Sequence, residues 1–223
     1  MRRVAIMKYP GTNCENETLY AVRNVSKLDG KVVWHPDFKA REWDAVVLPG
    51  GFSYGDYGRA GLIASWSKAS RELLNAFDYG LPILGICNGF QVLSELGILP
   101  GNLLYNASAK FIAKWVNVKF HNPRGPWLSL ISDGEVLPMP IAHAEGRYYI
   151  DDVEPIIGEP WAEYLENPNG SIQSIAGVSR KGGVALGIMP HPERATFPWQ
   201  SLKYTTGGRR IFESIGESLR RGW

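Results

Sequence analysis

The sequence predicts an α/β fold: a doubly wound, mostly parallel sheet with helices on both faces and added antiparallel strands in the second half. In the first half, short apolar runs alternate with stretches whose apolar residues recur at helical spacing. From about residue 103 the chain changes to strand-like alternation, as in Phe111, Ala113 and Trp115. With 223 residues and 44% hydrophobic content, we expect a single domain spanning residues 1–223.

The first half contains four candidate strands with helices between them. The strands are the apolar runs at residues 4–7, 31–34, 44–48 and 82–86. Behind the first strand, Thr12 and Glu15 match a capping box, which predicts a helix start. A glycine-rich loop at residues 49–61 follows the third strand, and residues 62–77 carry the apolar stripe of one amphipathic helix.

The second half adds the antiparallel strands and closes the chain. Asn169 and Gly170 predict a tight turn between two extended segments. Residues 183–189 form a late, buried strand, and an apolar stripe that includes Ile211 and Leu219 predicts a final helix.

The composition narrows the function classes. Lys and Arg number 24 and Asp and Glu 22, a formal net charge of +2, so no nucleic-acid or membrane partner is expected. The chain contains no run of about 18 apolar residues, so no transmembrane span is expected, and the apolar stretch at residues 4–7 is too short for a signal peptide, so we expect a first strand there. Two cysteines do not form a disulfide framework, so we expect a cytoplasmic protein in which a thiol is free for chemistry.

Cys87 stands where a buried strand turns into a helix, between Gly85 and Gly89. This is the form of a nucleophile elbow, with sulfur in place of the usual serine oxygen. The Asn88 N–H at the helix start is a candidate oxyanion donor, and the glycine loop at residues 49–51 offers a second. The alternatives remain a cysteine buried as a small hydrophobe and an ordinary strand-to-loop turn.

A cysteine nucleophile needs a base, and two histidines lie in the same His-x-Glu frame. His191 follows the late strand, and Glu193 lies two residues further on, where an extended segment directs it to the same side. His143 lies among the added strands, so we expect it to belong to a loop that is structural or faces a partner. The alternative for His191 is a surface residue between turn-forming prolines.

Cys14 is the second cysteine and also falls in the first turn of a predicted helix, which lowers a thiol pKa somewhat. It lacks the glycine frame of Cys87, and its helix follows a different strand. We therefore expect Cys14 to be structural or to lie near a partner surface.

Four motifs together resemble the class I (triad) glutamine amidotransferases. They are GICNGFQ at 85–91, PGGFSYGDY at 49–57, IAHAEGRY at 141–148 and MPHPER at 189–194. The second and fourth are most similar to the glutaminase subunits of phosphoribosylformylglycinamidine synthases. Two positions depart from the usual pattern, Gly58 in place of a larger apolar residue and Ala144 in place of glycine.

The resemblance implies roles for individual residues. Cys87 would be the nucleophile, with His191 and Glu193 completing a triad. The backbone amides of Gly51 and Asn88 would form the oxyanion hole, and Gln91 would hold the substrate glutamine. No metal is implied.

The resemblance also implies the reaction and its partners. A glutamyl thioester forms on the cysteine, and the released ammonia passes to a synthetase subunit that makes formylglycinamidine ribonucleotide in purine biosynthesis. No phosphate-binding GxxxxGK[ST] loop appears in the chain, so ATP and magnesium are expected at the synthetase, together with a small accessory subunit. The alternatives are the glutaminase of another ammonia-using synthetase and a non-catalytic binding module of the same fold.

Overall fold

The computed structural model describes residues 1–203 and 205–223, which form one large sheet, one small sheet and surrounding helices. The strands are β1 (Arg3–Lys8), β2 (Asp29–Trp34), β3 (Ala45–Leu48), β4 (Ile83–Ile86), β5 (Asn102–Leu104), β6 (Ile112–His121), β7 (Val136–His143), β8 (Arg147–Tyr149), β9 (Trp161–Tyr164), β10 (Ile175–Arg180) and β11 (Ala185–Ile188). The α-helices are α1 (Glu15–Ala21), α2 (Leu62–Ser65), α3 (Ala69–Asp78), α4 (Asn88–Glu95), α5 (Glu154–Ile157) and α6 (Arg209–Arg221). No helix in this part of the chain is long and apolar enough to cross a membrane.

The large sheet has a parallel half and an antiparallel half. Its strand order is β2-β1-β3-β4-β11-β10-β9-β6-β7. The pairs from β2 to β11 are parallel, and those from β11 to β7 are antiparallel. β5 and β8 form a separate antiparallel pair. The predicted fold class, a parallel α/β sheet extended by antiparallel strands, is confirmed.

The middle of the parallel half is the most deeply buried part of the molecule. Every residue of β3, β4 and β11 is buried. These strands consist of Ala, Val, Leu, Ile and Gly, as expected where helices cover both faces of a parallel sheet. α4 packs on these strands and against α2, whereas α6 packs on the π-helical segment Val22–Ser26 that continues α1.

The carboxyl ends of these three strands lie side by side. Leu48 of β3 pairs with Gly85 of β4, and Ile188 of β11 pairs with Ile86. Because parallel strands end at the same edge, the segments that follow them meet there. These segments contain the loop that begins at residue 49, the Cys87 turn and the His191 segment.

The predicted capping box is wrong. The N-cap of α1 is Cys14, and no side chain caps this helix. The Thr12 hydroxyl accepts a hydrogen bond from the Tyr9 N–H at 3.0 Å, and Glu15 pairs with Lys8 at 2.5 Å. Both candidate capping side chains are therefore engaged with the end of β1.

The predicted helix over residues 62–77 is two helices, α2 and α3. Ser65 turns its hydroxyl to the Leu62 carbonyl, and the Ser70 hydroxyl donates to the Ser65 carbonyl. Such local side-chain bonds compete with the helical backbone pattern. Trp66, expected on the apolar face, is consequently 73% exposed in the break. Farther along the chain, Asn169 and Gly170 lie in a longer connection between β9 and β10 rather than in a two-residue hairpin.

We expect Gly89→Ala to destabilise the protein by about 2 kcal/mol or more, because the new Cβ would overlap the Leu48 carbonyl at the end of β3. Gly158→Ala is the matched control, since a Cβ there meets nothing within 4 Å. Chemical unfolding of both variants measures the difference. Equal stability of the two variants would contradict the close contact between α4 and β3.

Candidate active site

Cys87 occupies a strained turn between β4 and α4. It is the N-cap of α4, with φ 50° and ψ −105°, a conformation that side-chain-bearing residues rarely adopt. A Cβ at Gly85 would lie 2.7 Å from the Gly89 carbonyl oxygen, and a Cβ at Gly89 would overlap β3. The glycine frame predicted around Cys87 is therefore required by close packing on both sides of the turn.

His191 lies beyond the end of β11 and is held from two sides. Its backbone N–H donates to the Pro140 carbonyl at 2.8 Å, which ties it to β7. Its ring Nδ1 is 2.6 Å from the Glu193 carboxylate, and both side chains are buried. The segment is not extended throughout, because residues Pro192–Arg194 form a 3₁₀ turn. Glu193 thus reaches the ring through a turn, not through the strand alternation expected from the sequence.

The charges around His191 favour its protonated form. Burial alone lowers the pKa of His191, but the negative charge of Glu193, followed by the interaction with Cys87, outweighs burial and holds this pKa well above 6.5. Because a hydrogen bond to a carboxylate also selects the tautomer, Nδ1 is the donor and Nε2 is left for the reacting groups.

Cys87 and His191 line one cavity of about 170 Å³. Its wall also includes Gly51, Cys14 and Arg194. The Cys87 sulfur lies 3.8 Å from the Ala142 carbonyl oxygen, at the end of β7. The structure therefore brings the predicted nucleophile, the predicted base and one predicted oxyanion residue to the same space.

Gly51 is held in a conformation suited to glycine, with φ 147°. The chain here bridges to residues 11–13 through two hydrogen bonds, Asn13 N–H to the Gly50 carbonyl and Phe52 N–H to the Gly11 carbonyl. These bonds do not use the Gly51 N–H. A Cβ at Gly50 would lie 2.6 Å from the His191 ring, so the loop passes directly beside the imidazole.

Gln91 and Asn88 are joined by their side chains. The Asn88 amide donates to Gln91 at 2.9 Å and accepts from the Ser53 N–H at 3.2 Å. Gln91 in turn donates to the Glu145 carbonyl at 2.6 Å. Gln91 also lines a second cavity of about 30 Å³, which Cys87 shares. The predicted substrate-holding residue therefore lies beside Cys87, between the glycine loop and the end of β7.

His143 is not exposed for a partner to contact. It is 3% exposed, and its Nδ1 bonds the Asn106 side-chain oxygen at 3.0 Å. Burial, followed by the charge of His191, lowers the pKa of His143 to about 4. The expected loop is wrong, because His143 is the last residue of β7. A structural role fits this environment, in which a neutral ring anchors the end of the strand.

Sequence reasoning missed the proximity of Cys14 and Arg194 to this site. The sequence predicts a lowered pKa for Cys14, but burial raises it. The Arg194 guanidinium donates to the Cys14 sulfur at 3.1 Å. No local signal reveals this contact, since the two residues are 180 positions apart.

Comparison with known proteins gives consistent matches along the chain. Residues 1–215 match the family described as CobB/CobQ-like glutamine amidotransferase domain. The phosphoribosylformylglycinamidine synthase subunit PurQ of Pyrobaculum aerophilum is 45% identical over 98% of this chain and all of that protein. PurQ of Pyrococcus furiosus is 43% identical over 99% of this chain and all of that protein.

Solved structures agree with these matches. The structure of PurLQS from Thermotoga maritima contains a chain with a TM-score of 0.89 and 38% identity, covering 98% of this chain and all of that one. A putative GMP synthase subunit from Thermoplasma acidophilum has a TM-score of 0.59 at 18% identity, covering 99% and 96% of the two chains, and shares the fold alone.

We expect the burial of neutral His143 to make stability fall with acidification. The unfolded-state histidine takes up a proton near pH 6.5 and the folded one only near pH 4, so folding is progressively disfavoured between these values. The loss reaches about 3 kcal/mol at low pH. Urea unfolding of the wild type and of His143→Gln across this range isolates the effect, and the wild type should show the steeper decline. Parallel pH profiles of the two proteins would refute a buried, neutral His143.

Proposed function

The chain belongs to the CobB/CobQ-like glutamine amidotransferase family, and from this premise we propose that it is the glutaminase subunit of a phosphoribosylformylglycinamidine synthase. The proposed reaction is hydrolysis of L-glutamine to glutamate and ammonia. The observation that carries it is the meeting of Cys87 with the buried His191–Glu193 pair in one cavity. We propose that residues 1–223 act as one glutamine amidotransferase domain.

Cys87 is the proposed nucleophile. Its sulfur attacks the side-chain amide carbon of glutamine, forming a tetrahedral intermediate that collapses to a glutamyl thioester. The position of Cys87 at the start of α4 supports this role, because a helix N-terminus stabilises a thiolate. The strained turn holds the sulfur at the edge of the sheet, where the cavity gives it access to substrate.

The amides of Gly51 and Asn88 are the proposed oxyanion hole. Asn88 begins α4, where the N–H groups of the first turn have no partner within the helix. The hydrogen bonds of the bridge at residues 11–13 leave the Gly51 N–H free for the substrate oxygen. Loss of a single donor of this kind costs about 10²–10³ in kcat, so two such donors account for a large share of catalysis.

His191 is the proposed general acid and base. It gives a proton to the departing nitrogen, which leaves as ammonia, and then takes a proton from the water that hydrolyses the thioester. Glu193 orients the ring and stabilises its charged form through the 2.6 Å hydrogen bond. Proton transfer of this kind contributes about 10²–10⁴ in rate.

Gln91 is the proposed contact for the amino-acid end of glutamine. Its side chain is buried, is fixed by Asn88 and Glu145, and lines the small cavity beside Cys87. A side-chain amide in this position can donate to a carboxylate or accept from an ammonium group.

The proposed partner is a synthetase subunit that receives the ammonia. The related Thermotoga maritima structure is titled as a PurLQS assembly, which supports a complex of this kind. We place ATP and magnesium at that synthetase and no cofactor in this chain. A cytoplasmic location and a small accessory subunit belong to the same proposal.

Replacing Cys87 tests whether it is the nucleophile and whether the synthesis that uses ammonia takes place on the partner subunit. In the assembled complex, Cys87→Ala should abolish glutamine-dependent synthesis and covalent labelling by a glutamine-mimicking electrophile. Synthesis from high ammonium and ATP should continue, because the second reaction takes place on the partner. The measurement is the rate of product formation with glutamine and, separately, with ammonium as the nitrogen source.

Cys14→Ala is the matched control for this experiment, since it removes the other buried thiol and should keep both activities. Two results would count against the proposal: inactivation by Cys14→Ala in place of Cys87→Ala, or loss of ammonia-dependent synthesis in a correctly assembled Cys87→Ala complex.

A further inference from the structure

Cys14 adds a third metal-binding group beside the His191–Glu193 pair. Its sulfur, a ring nitrogen of His191 and a carboxylate oxygen of Glu193 all lie within 4.8 Å of one another. All three side chains are buried. They come from opposite ends of the chain, Cys14 from the start of α1 and the other two from the segment after β11.

Two atoms of this cluster are left without a hydrogen-bond partner within the described residues. They are Nε2 of His191 and Oε2 of Glu193, and both residues are buried. Oε2 is a buried acceptor without a partner, which costs free energy, and Nε2 becomes a second one when His191 gives up its ring proton. A group that accepts their electron pairs would recover this cost, and a cation does so directly.

We propose that Cys14, His191 and Glu193 bind Zn²⁺ or a similar thiophilic divalent ion, and that this ion inhibits the enzyme. Thiolate, imidazole and carboxylate are the ligand types that zinc prefers, whereas magnesium requires oxygen ligands. Zinc bonds of about 2.0–2.3 Å in a tetrahedral site place ligand atoms roughly 3.3–3.8 Å apart. The observed spacing therefore needs side-chain shifts of only about 1 Å.

Arg194 is the competing cation at this site. Its guanidinium donates to the Cys14 sulfur at 3.1 Å and must give way to the ion. Its side chain is 37% exposed and already lies 3.6 Å from Glu17, so it has a second carboxylate to turn towards. Cys14 releases its thiol proton and His191 releases a ring proton to solvent when their bonds to the metal form.

Metal binding occupies the residue that the proposed mechanism uses for proton transfer. Cys87 lines the same cavity, so an ion on His191 leaves the nucleophile without its base. Inhibition follows only if His191 has this proposed role, whereas binding of the ion does not depend on it.

The binding test uses Co²⁺ as a spectroscopic probe of the full-length chain. Wild type and Cys87→Ala should both develop the absorption of a cobalt–thiolate bond, because Cys14 supplies the sulfur. Cys14→Ser should lose this absorption, since its side-chain oxygen is a poor ligand for such an ion. A cobalt–thiolate spectrum that depends on Cys87 and not on Cys14 would overturn the assignment.

The inhibition test measures glutamate release by the assembled complex in buffered Zn²⁺. Cys14→Ser should retain its activity in zinc-free buffer. It should need at least about tenfold more zinc than the wild type for half-inhibition. Even the loss of a residue that only hydrogen-bonds a metal ligand weakens metal binding by about 10–100-fold, and Cys14 is itself a proposed ligand. Ammonia-dependent synthesis by the same complex should be insensitive to zinc, which locates the effect on this chain. Equal zinc sensitivity of the wild type and Cys14→Ser would refute the metal site. If the wild-type complex released no glutamate even in zinc-free buffer, the proposed function would be refuted instead.

Discussion

The close approach of backbone at the carboxyl ends of β3, β4 and β11 is the constraint on which the rest of the site depends. Gly89 packs against the Leu48 carbonyl, and Gly50 passes beside the His191 ring. Each contact is closer than a side chain would allow, so glycine is required at both places. Because these backbones lie so close together, the loops that follow the three strands line one cavity. Cys87 adopts its strained turn at the same place. The geometry of the proposed site thus depends on sheet register and on the missing side chains, together with the hydrogen bonds that join the loops.

Electrostatic surroundings give different protonation behaviour to two histidines, His191 and His143, that share the same His-x-Glu sequence. His191 is buried beside the Glu193 carboxylate, whose negative charge outweighs burial and favours the protonated ring. His143 bonds a neutral amide at Asn106 and is kept neutral by burial and by the nearby charge of His191. The pKa of the histidine is therefore raised in one His-x-Glu segment and lowered in the other. One is suited to proton transfer, and the other anchors a strand end beside the cavity.

The sequence predicted those features that depend on local chemistry. The parallel α/β sheet, the turn at Cys87 and the partnership of His191 with Glu193 all follow from patterns within a few residues. Two kinds of feature were missed, namely contacts between distant segments and side-chain hydrogen bonds or ion pairs that replace the expected helical ones. The Cys14 sulfur meets Arg194 across 180 positions, and the helix expected at residues 62–77 breaks because serine side chains satisfy its backbone. The capping box failed because Lys8, at the end of the preceding strand, forms an ion pair with Glu15.

The proposed mechanism requires a covalent intermediate on one sulfur, and mass spectrometry can identify that sulfur directly. The assembled complex is mixed with glutamine, quenched rapidly in acid and digested, and the peptides are examined by mass spectrometry. A glutamyl group should appear on the peptide that contains Cys87, and the peptide that contains Cys14 should remain unmodified. A glutamyl adduct on Cys14, or steady glutamate release with neither cysteine ever acylated, would contradict the account.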